Sequence, residues 1–408
     1  MIGSVCELAR PGQGRGRGGV SSHRILRGIL SVVAACLSTA TLAADEAMPE
    51  RVSRTLETGS FIWPPYTLGE FSTDVYNDTT VEADDNDEEI NDLFTDSSLI
   101  LYTFFSPRVL LETKLVVETG QDRDPGENRY FNDHVLRASL LALTYNADNW
   151  WVSGGKGGLN FGISRNDAAG IYGADITNDN TRLGGIGVSG QGSIHALSGF
   201  HSIYLGVFRR DRSALSEPLL GSGSRTQKSD GGAANTDGFE SWVLAVDGSG
   251  FSAMPSFRYH LAYASLDTDR INDPTGNALP DSALGDDRRL AVAGEWRNLQ
   301  VTDYLTVTLL LEYLDFEDAR GLSGRDEQFV TGSLSFARGR WTLDVAATGW
   351  DIEAPGEPDE DIYQAQLSGG YLFSNGIGLD IGYRYLEEDN DESHTVGLQF
   401  SYSLPTAL

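Results

Sequence analysis

The sequence predicts an all-β chain that closes into a transmembrane antiparallel up-and-down β-barrel. Three observations lead to this prediction: apolar and polar residues alternate with a period of two, short and long connections alternate between these segments, and glycine and aromatic residues are abundant. The 408 residues include 47 Gly, and 10% are aromatic. A period of two places an apolar face and a polar face on opposite sides of a strand. A membrane-spanning barrel requires this pattern, with its apolar face outward.

The composition excludes several classes of protein. The chain has 59 acidic and 30 basic residues and a formal charge of −29, which argues against a nucleic-acid-binding protein because phosphate contacts need a basic surface. With 40% hydrophobic residues, the chain can support ordered structure over most of its length. The two cysteines, Cys6 and Cys36, both lie in the N-terminal segment. We therefore expect neither a disulfide framework nor a Cys-ligated metal.

The N-terminus carries the pattern of a secretory signal. Residues 24–43 combine two arginines, an apolar run and small residues at the end, which predicts cleavage after Ala43. The alternatives are an uncleaved anchor, although the run is shorter than the ~20 residues a span needs, and a lipoprotein attached at Cys36. Cleavage would remove five Arg and one Glu and leave a formal charge of −33. We expect a signal and upstream extension over 1–43, a periplasmic lead over 44–57 and the barrel over 58–408.

The strands are predicted from the alternation. In one segment Leu305, Val307 and Leu309 alternate with Thr306 and Thr308. Fifteen segments have this pattern, and a sixteenth precedes them because bacterial barrels normally have an even number of strands. The predicted strands are 58–68, 98–105, 109–118, 134–145, 148–156, 182–190, 200–209, 239–247, 256–266, 288–297, 304–314, 328–337, 341–350, 361–371, 377–386 and 394–403. The first is the weakest, since Pro64 and Pro65 cannot donate to a ladder, and fourteen strands is the main alternative.

The connections between these strands alternate strictly between short and long. The predicted long ones are 69–97, 119–133, 157–181, 210–238, 267–287, 315–327, 351–360 and 387–393. Transmembrane barrels arrange their periplasmic turns and outer loops in this way. A soluble sandwich or solenoid would also show alternation. Two features argue against it: aromatic residues such as Tyr145 and Trp150 flank the short turns, and the predicted interior face carries charges that a dry core would not accept unpaired.

Two local motifs resemble a known family. The segment 395–402 has Gly397, Phe400 and Tyr402 at the spacing of the assembly signal of outer-membrane barrels, although the chain continues to Leu408 where most porins end on an aromatic residue. Upstream, Gly154-Gly155-Lys156, Asn160-Phe161-Gly162 and Ala169-Gly170-Ile171-Tyr172-Gly173 resemble a segment of the bacterial porin superfamily. Over residues 58–408 the chain thus resembles the Gram-negative outer-membrane porins.

This resemblance implies a 16-stranded barrel in the cell outer membrane. It further implies a homotrimer, with outer-membrane lipid, lipopolysaccharide and the barrel assembly machinery as partners. In such porins the loop after the fifth strand folds into the lumen and constricts it. The segment at that position here is 157–181.

The candidate pore residues follow from this position and from the lumen face of the strands. Within the loop they are Arg165, Asp167, Asp175 and Asp179, and on the wall they are Lys114, Arg137, Arg258, Arg289 and Arg384. Charged residues at a constriction decide which ions pass. The alternatives are an ordinary solvated outer loop and wall residues that are merely wetted.

No catalytic or cofactor site is expected. The sequence contains no GxSxG, HExxH or phosphate-loop motif, and no His is placed beside a nucleophile and an orienting carboxylate. The acidic run 82–89 could bind divalent cations, but it has no fixed ligand spacing, which favours a plain acidic loop.

The predicted function is an aqueous pore for passive diffusion of ions and small hydrophilic solutes. Weak cation selectivity is expected because the acid-rich segment 69–97 is placed at the outer mouth. The alternatives are a channel selective for sugars or organic acids, for which Tyr102, Tyr204 and Trp350 are the lumen aromatics, and a non-conducting structural or adhesive barrel.

Overall fold

The computed structural model describes residues 64–120, 126–273 and 275–407, apart from the side chains of 86, 179, 406 and 407. In these ranges one sheet of seventeen strands closes on itself, since β1 pairs antiparallel with both β2 and the last strand, β17. The strands are β1 Tyr66–Ala83, β2 Asn91–Ser106, β3 Val109–Thr119, β4 Arg129–Tyr130, β5 His134–Asn146, β6 Trp150–Gly158, β7 Gly184–Ala196, β8 Gly199–Arg209, β9 Ser241–Ser249, β10 Phe257–Leu266, β11 Asp287–Thr302, β12 Leu305–Glu317, β13 Asp326–Arg338, β14 Trp341–Glu353, β15 Glu360–Leu372, β16 Ile377–Glu388 and β17 Asp391–Ala407.

The predicted fold class and the predicted strand number are confirmed. Sixteen of these strands form the closed antiparallel ring, and β4 lies outside it, parallel to the start of β2. Two α-helices, α1 Ser164–Asp167 and α2 Asp175–Thr181, lie in the connection between β6 and β7. Short 3₁₀ turns lie in several of the other connections. With the last strand ending in the periplasm, the turns between β7 and β8 and between β13 and β14 are periplasmic, and the longer loops are extracellular.

The prediction for the start of the barrel is wrong. Residues 69–97 do not form an outer loop, because β1 and β2 occupy most of the segment and only a short turn around 84–90 joins them. The first strand of the described residues runs over Tyr66–Ala83 and overlaps only the end of the predicted strand 58–68, whose residues 58–63 lie outside the described part of the chain. The error has a physical cause. Acids such as Asp74 and Asp78 occupy alternate positions of β1 that face the lumen. This strand is therefore as rich in acidic residues as a solvent-exposed loop, and the sequence was interpreted as a loop.

The outward face of the ring is apolar. Large apolar side chains that are exposed on this face include Val188, Leu205, Leu244, Leu261, Val292, Val345, Leu367, Ile381 and Phe400. Exposed aromatic rings lie at the periplasmic turns, where Trp150 contacts Tyr145 at 5.5 Å and Trp341 contacts Tyr371 at 4.6 Å between ring centroids. An apolar band with an aromatic border is the surface that a bilayer requires.

None of the helices in the described ranges has the length and hydrophobicity needed to cross a membrane.

The buried apolar core lies inside the barrel, in its extracellular half. Four aromatic rings pack in a row, starting with Phe161 of the connection between β6 and β7. Its ring centroid lies 6.0 Å from that of Phe316 on β12. The Phe316 centroid lies 5.2 Å from that of Phe329 on β13, which lies 5.1 Å from that of Trp350 on β14. All four side chains are buried. A lumen filled only with water would not bury these rings, so the core exists because the connection packs against the wall.

The last strand carries the residues of the predicted assembly signal. Phe400 and Tyr402 are exposed on the outward face, opposite Val75 and Thr73 of β1. Gly397 faces the lumen, where it contacts the inward connection. Recognition of these residues by the assembly machinery stays a prediction. The predicted signal and lead, 1–43 and 44–57, lie outside the described residues.

Candidate functional site

The connection between β6 and β7, residues 159–183, lies inside the barrel, and we call it the lumen loop. It agrees closely with the predicted segment 157–181. Phe161, Ser164, Tyr172 and Thr177 are buried, although each belongs to a connection and not to the wall. The lumen loop crosses the interior and is held by hydrogen bonds to both sides of the ring. Its predicted role as the constriction stays a prediction.

One anchor of the lumen loop is Glu312 on β12. Its carboxylate accepts hydrogen bonds from the backbone N–H groups of Ile163, at 2.6 Å, and of Ser164, at 3.0 Å, and also from the Ser164 hydroxyl. Glu312 is buried at 4% exposure. These N–H groups at the start of α1 have no partner within the helix, so a charged acceptor from the wall satisfies them with strong hydrogen bonds.

A second anchor pairs His260 of β10 with Asp247 of β9. His260 Nδ1 lies 2.8 Å from Asp247 Oδ1, and the Gly162 N–H donates to His260 Nε2 over 3.1 Å. Because Nε2 accepts this hydrogen bond, the imidazole proton is on Nδ1 and faces the carboxylate. The other Asp247 oxygen accepts from Asn160 at 2.9 Å. The pair thus binds the first residues of the lumen loop. Its described partners, Gly162 and Asn160, have no nucleophilic side chain of the kind that a catalytic histidine would activate.

Asp167 on α1 is fully engaged by arginines of the wall. Its carboxylate oxygens lie 2.5 Å from Arg258 of β10 and 3.0 Å from Arg297 of β11. Both arginines also contact the buried Glu295. The acidic loop and the basic wall predicted to face each other therefore form ion pairs here. These ion pairs hold the lumen loop in place and leave little uncompensated charge around Asp167.

The second half of the lumen loop binds the opposite side of the ring. Arg384 of β16 lies 2.9 Å from Asp175, and its guanidinium stacks 4.9 Å from the ring centre of Tyr172. The Tyr172 hydroxyl donates to Asp78 of β1 at 2.7 Å. A Cβ at Gly397 would overlap the Tyr172 hydroxyl, so a larger residue here would displace this contact. The glycine of the predicted assembly signal thus also gives room to the lumen loop.

The structure places the remaining predicted residues in different settings. Arg289 is buried, pairs with Asp287 at 2.7 Å and donates to the Asn180 carbonyl oxygen at the end of α2. Arg137 pairs with Glu118 at 3.0 Å on the lumen face. Lys114 lies on the same face of β3 as Glu118. Asp179 belongs to α2, but its side chain is outside the described part of the structure.

Arg165 borders the cavity that remains beside the lumen loop. This cavity has a volume of about 550 Å³, and its lining includes Glu112, Trp151, Asn160, Arg165, Tyr204 and Phe208. Burial lowers the pKa of the Arg165 guanidinium, and the neighbouring Arg182 lowers it further. An arginine nevertheless remains protonated at neutral pH. Arg165 is thus a loop cation that faces open space within the lumen.

An acid-rich stretch of wall lies on β1 and β2. Asp74 and Asp96 are direct neighbours across the ladder, and Asp78 faces Asp92 nearer the extracellular end. Arg129 of β4 neutralises Asp92 through two contacts of 2.6 Å. Asp74 lies deeper in the barrel than the contact between Asp78 and the lumen loop. Of the eleven acids of 69–97, five therefore face the lumen, namely Glu70, Asp74, Asp78, Asp92 and Asp96, and the other six lie at or beside the extracellular turn.

Sequence reasoning identified Asp167, Asp175, Arg258 and Arg384, but it assigned no anchoring role to Glu312, His260, Arg297 or Tyr172. Glu312 and His260 were recognisable only as polar residues on a lumen face, Arg297 gave no signal of its own, and Tyr172 was noted only as part of a porin-like motif. Each acts across a separation of more than 90 residues. Among the described residues, no group of three or more His, Cys, Asp or Glu could hold a metal ion.

A closed 16-stranded ring with an apolar outer surface, a charged lumen and an inward loop defines a transmembrane β-barrel of the outer-membrane type. This is the architecture that the resemblance to porins predicted, and the prediction is confirmed. No family model and no curated protein matches the sequence.

Several solved structures are similar to the chain. The outer membrane channel DcaP of Acinetobacter baumannii shares 14% identity over 83% of this chain and 96% of its own, with a TM-score of 0.48. The outer membrane protein OmpT of Vibrio cholerae, in a trimer form, shares 12% identity over 82% of this chain and 99% of its own, with a TM-score of 0.48. OpdK of Pseudomonas aeruginosa, solved with vanillate, shares 10% identity over 83% of this chain and 99% of its own, with a TM-score of 0.49. The fold assignment itself rests on the strand order and closure described above.

Proposed function

We propose that the chain forms a passive aqueous pore in the outer membrane for ions and small hydrophilic solutes, with no catalytic role. The observation that carries this proposal is the charged lumen wall of β1 and β2, where Asp74 and Asp96 lie side by side. Within the described ranges, neither carboxylate forms an ion pair with a cation. Two such adjacent carboxylates are costly in a dry core. Their repulsion costs much less in a lumen that contains water and mobile counterions.

The same wall supports weak cation selectivity. Asp167 and Asp175 of the lumen loop pair with Arg258, Arg297 and Arg384. With the buried Glu295, which contacts Arg258 and Arg297, three acids balance three arginines, so the net sign of the lumen depends on the residues outside this set. Arg137 is paired with Glu118. Four lumen acids that form no ion pair within the described ranges then outnumber the other lumen cations: the acids are Asp74, Asp96, Asp344 and Asp380, and the cations are Lys114, Arg165 and Arg182. Acids inside a narrow lumen act at a shorter range than acids at the mouth and are less screened by salt.

We expect the wild-type pore to prefer potassium over chloride in a tenfold KCl gradient across a planar bilayer, with stepwise conductance. Asp74→Asn/Asp96→Asn should reduce or abolish this preference because it removes two wall charges. Asp167→Asn/Asp175→Asn should shift it in the same direction, because it removes two acids from these ion pairs and leaves an excess of arginine charge. Asp303→Asn, at an exposed periplasmic turn, is the matched control and should leave the reversal potential unchanged.

The outcomes separate the alternatives. A folded barrel that never conducts would overturn the pore and favour a structural or adhesive barrel. Chloride preference in the wild type would overturn the proposed sign. An unchanged reversal potential in Asp74→Asn/Asp96→Asn would show that permeating ions do not pass this wall.

A substrate-selective channel for sugars is the second candidate. Trp151 and Tyr204 form an aromatic pair with ring centroids 5.9 Å apart, and both line the cavity beside the lumen loop. Aromatic faces bind the apolar faces of sugar rings, so this pair would slow a sugar in transit. The predicted aromatic Trp350 is instead buried against Phe329.

A homotrimer remains a prediction. Its support from the chain is a strip of small residues on the outward face of β14 and β15, where Ala347 pairs with Ala365 and Gly369 pairs with Leu343. Small side chains allow close approach of a second wall within a membrane.

A further inference from the structure

The barrel wall has a notch between β5 and β6 in its extracellular half. The ladder between these two strands ends at the pair Leu141 and Lys156. β5 extends beyond this pair to His134, and no described strand pairs with residues 134–140 on the side of β6. Seven residues of a strand span roughly 20 Å at about 3.4 Å each. An opening therefore remains between the upper part of β5 and the ends of β6 and β7.

Part of the connection between β8 and β9 covers this notch, and we call residues 211–221 the strap. The Leu136 N–H of β5 donates to the Leu220 carbonyl oxygen at 2.9 Å, and the Leu219 N–H donates to the Leu136 carbonyl oxygen at 2.7 Å. The 3₁₀ turn of the strap, Ala214–Ser216, also lies against β5. The strap thus satisfies backbone groups of a strand edge that would be costly if it faced lipid.

One lysine holds the strap on the wall. Lys156 of β6 lies 2.9 Å from the Asp211 carboxylate and donates a hydrogen bond to the Leu215 carbonyl oxygen. The Lys156 and Asp211 side chains are only 15% and 8% exposed. Breaking a buried ion pair leaves an uncompensated charge and is strongly destabilising. The pair of Lys156 and Asp211 is therefore a latch between the wall and the strap.

The strap lies on the outer side of the wall. Lys156 is directly opposite Ile186 on β7. A Cβ at Gly185 or Gly187, on either side of Ile186, would contact Phe208, which is buried in the lumen. Because side chains alternate along a strand, Ile186 and Lys156 face outward. The strap binds Lys156 and so covers the notch from outside.

The strap has the features of a movable segment. At its end, Gly221 and Gly223 have φ values of 97° and 148°, which glycine adopts without the strain of other residues, and they provide a hinge. Leu219 and Leu220 of the strap are 50% and 67% exposed, so these side chains bury little apolar surface. A segment with few buried apolar contacts opens at a low cost in free energy.

Open space lies on both sides of this part of the wall. On the lumen side, the cavity of about 550 Å³ beside the lumen loop is also lined by Leu140, Gly157 and Gly158, which border the notch. On the outer side, a cavity of about 650 Å³ lies between Ile186 of the wall and Ser213 of the strap. The strap and the glycine-rich ends of β6 and β7 separate the two cavities.

We propose that the strap is a lateral gate, through which small apolar molecules pass from the lumen cavity into the outer leaflet of the membrane. The cavity suits such molecules because Trp151, Tyr204, Phe208 and Leu140 are among its lining residues, and ligand pockets are lined mainly by aromatic and apolar groups. A solute of this class gains free energy when it leaves water for the bilayer, so its exit needs no energy source. The inference rests on the outer-membrane location and does not depend on ion conduction.

The test locks the strap with a disulfide. Leu136 and Leu220 are partners in an antiparallel bridge, and such partners lie about 4.5–5.5 Å apart at Cα, within the range for a disulfide. Full-length Leu136→Cys/Leu220→Cys is placed in the outer membrane of a Gram-negative host, and uptake of the apolar fluorophore N-phenylnaphthylamine by intact cells is measured. Cells with the wild type should take up the dye faster than cells without the protein. Oxidation of the variant should abolish this increase, and a reductant should restore it.

Two further variants make the test specific. Val345→Cys/Leu367→Cys joins partners on the exposed outward face of β14 and β15. A disulfide there crosses a ladder that is already complete, so oxidation should leave dye uptake unchanged. Lys156→Met removes the latch but keeps a long side chain, and it should raise dye uptake several-fold above that of the wild type.

Three results would overturn the gate: equal dye uptake by the oxidised and reduced Leu136→Cys/Leu220→Cys variant, wild-type uptake no faster than that of cells without the protein, and failure of the two cysteines to crosslink in the folded barrel. The oxidised and reduced forms should have the same potassium chloride conductance in planar bilayers. A failure of every form to conduct, with dye uptake still controlled by the disulfide, would count against the pore alone.

Discussion

Replacing the lumen loop by a two-residue turn is expected to raise the single-channel conductance several-fold. Gly158 and Gly184 lie directly opposite each other at the ends of β6 and β7, so Asn-Gly in place of 159–183 gives a hairpin of favoured geometry. Such a deletion removes Phe161, both helices and every hydrogen bond that crosses the lumen. A 16-stranded barrel without an interior obstruction leaves a wide aqueous channel.

The matched control shortens an exposed connection instead. Replacing 354–359, between β14 and β15, by Asn-Gly changes a loop outside the lumen and should leave the conductance unchanged. Heat-modifiable mobility in electrophoresis checks that both variants fold. If the barrel without its lumen loop folds but conducts like the wild type, the loop does not lie on the permeation path.

The second large effect is expected from Glu312→Ala. The substitution leaves the buried N–H groups of Ile163 and Ser164 without their acceptor, at a cost of about 1–3 kcal/mol for each group. The loop would then be released for a measurable fraction of the time, since each 1.4 kcal/mol changes a population about tenfold. We expect larger and noisier conductance, together with tryptic cleavage after Arg165 that the wild type resists.

Two variants make this experiment specific. Glu312→Gln keeps one acceptor oxygen in place and should give an intermediate cleavage rate. Glu317→Ala, on the same strand but exposed and 3.9 Å from Arg288, should behave like the wild type. Resistance of Glu312→Ala to trypsin, with unchanged current noise, would mean that the other anchors hold the loop without this carboxylate.

The sequence by itself determined the class of fold and the number of strands. In β12, Leu305, Val307 and Leu309 alternate with Thr306 and Thr308. This pattern can be read from one strand alone, because one face of each strand meets lipid and the other meets the lumen, whichever strands lie beside it. The same locality explains the error at β1. Asp74 and Asp78 face water in the lumen just as residues of a loop face water outside, so composition could not distinguish the two positions.

Only the tertiary structure decided which charges of the lumen are free. Asp167 and Arg258 were both identified from the sequence, one as a loop acid and one as an opposing wall cation, yet 91 residues separate them and they form an ion pair. Their contact depends on the stagger of the strands, on closure of β1 against β17 and on the path of the lumen loop. Each of these is set by pairing between distant segments, and a local period of two carries no information about such pairing.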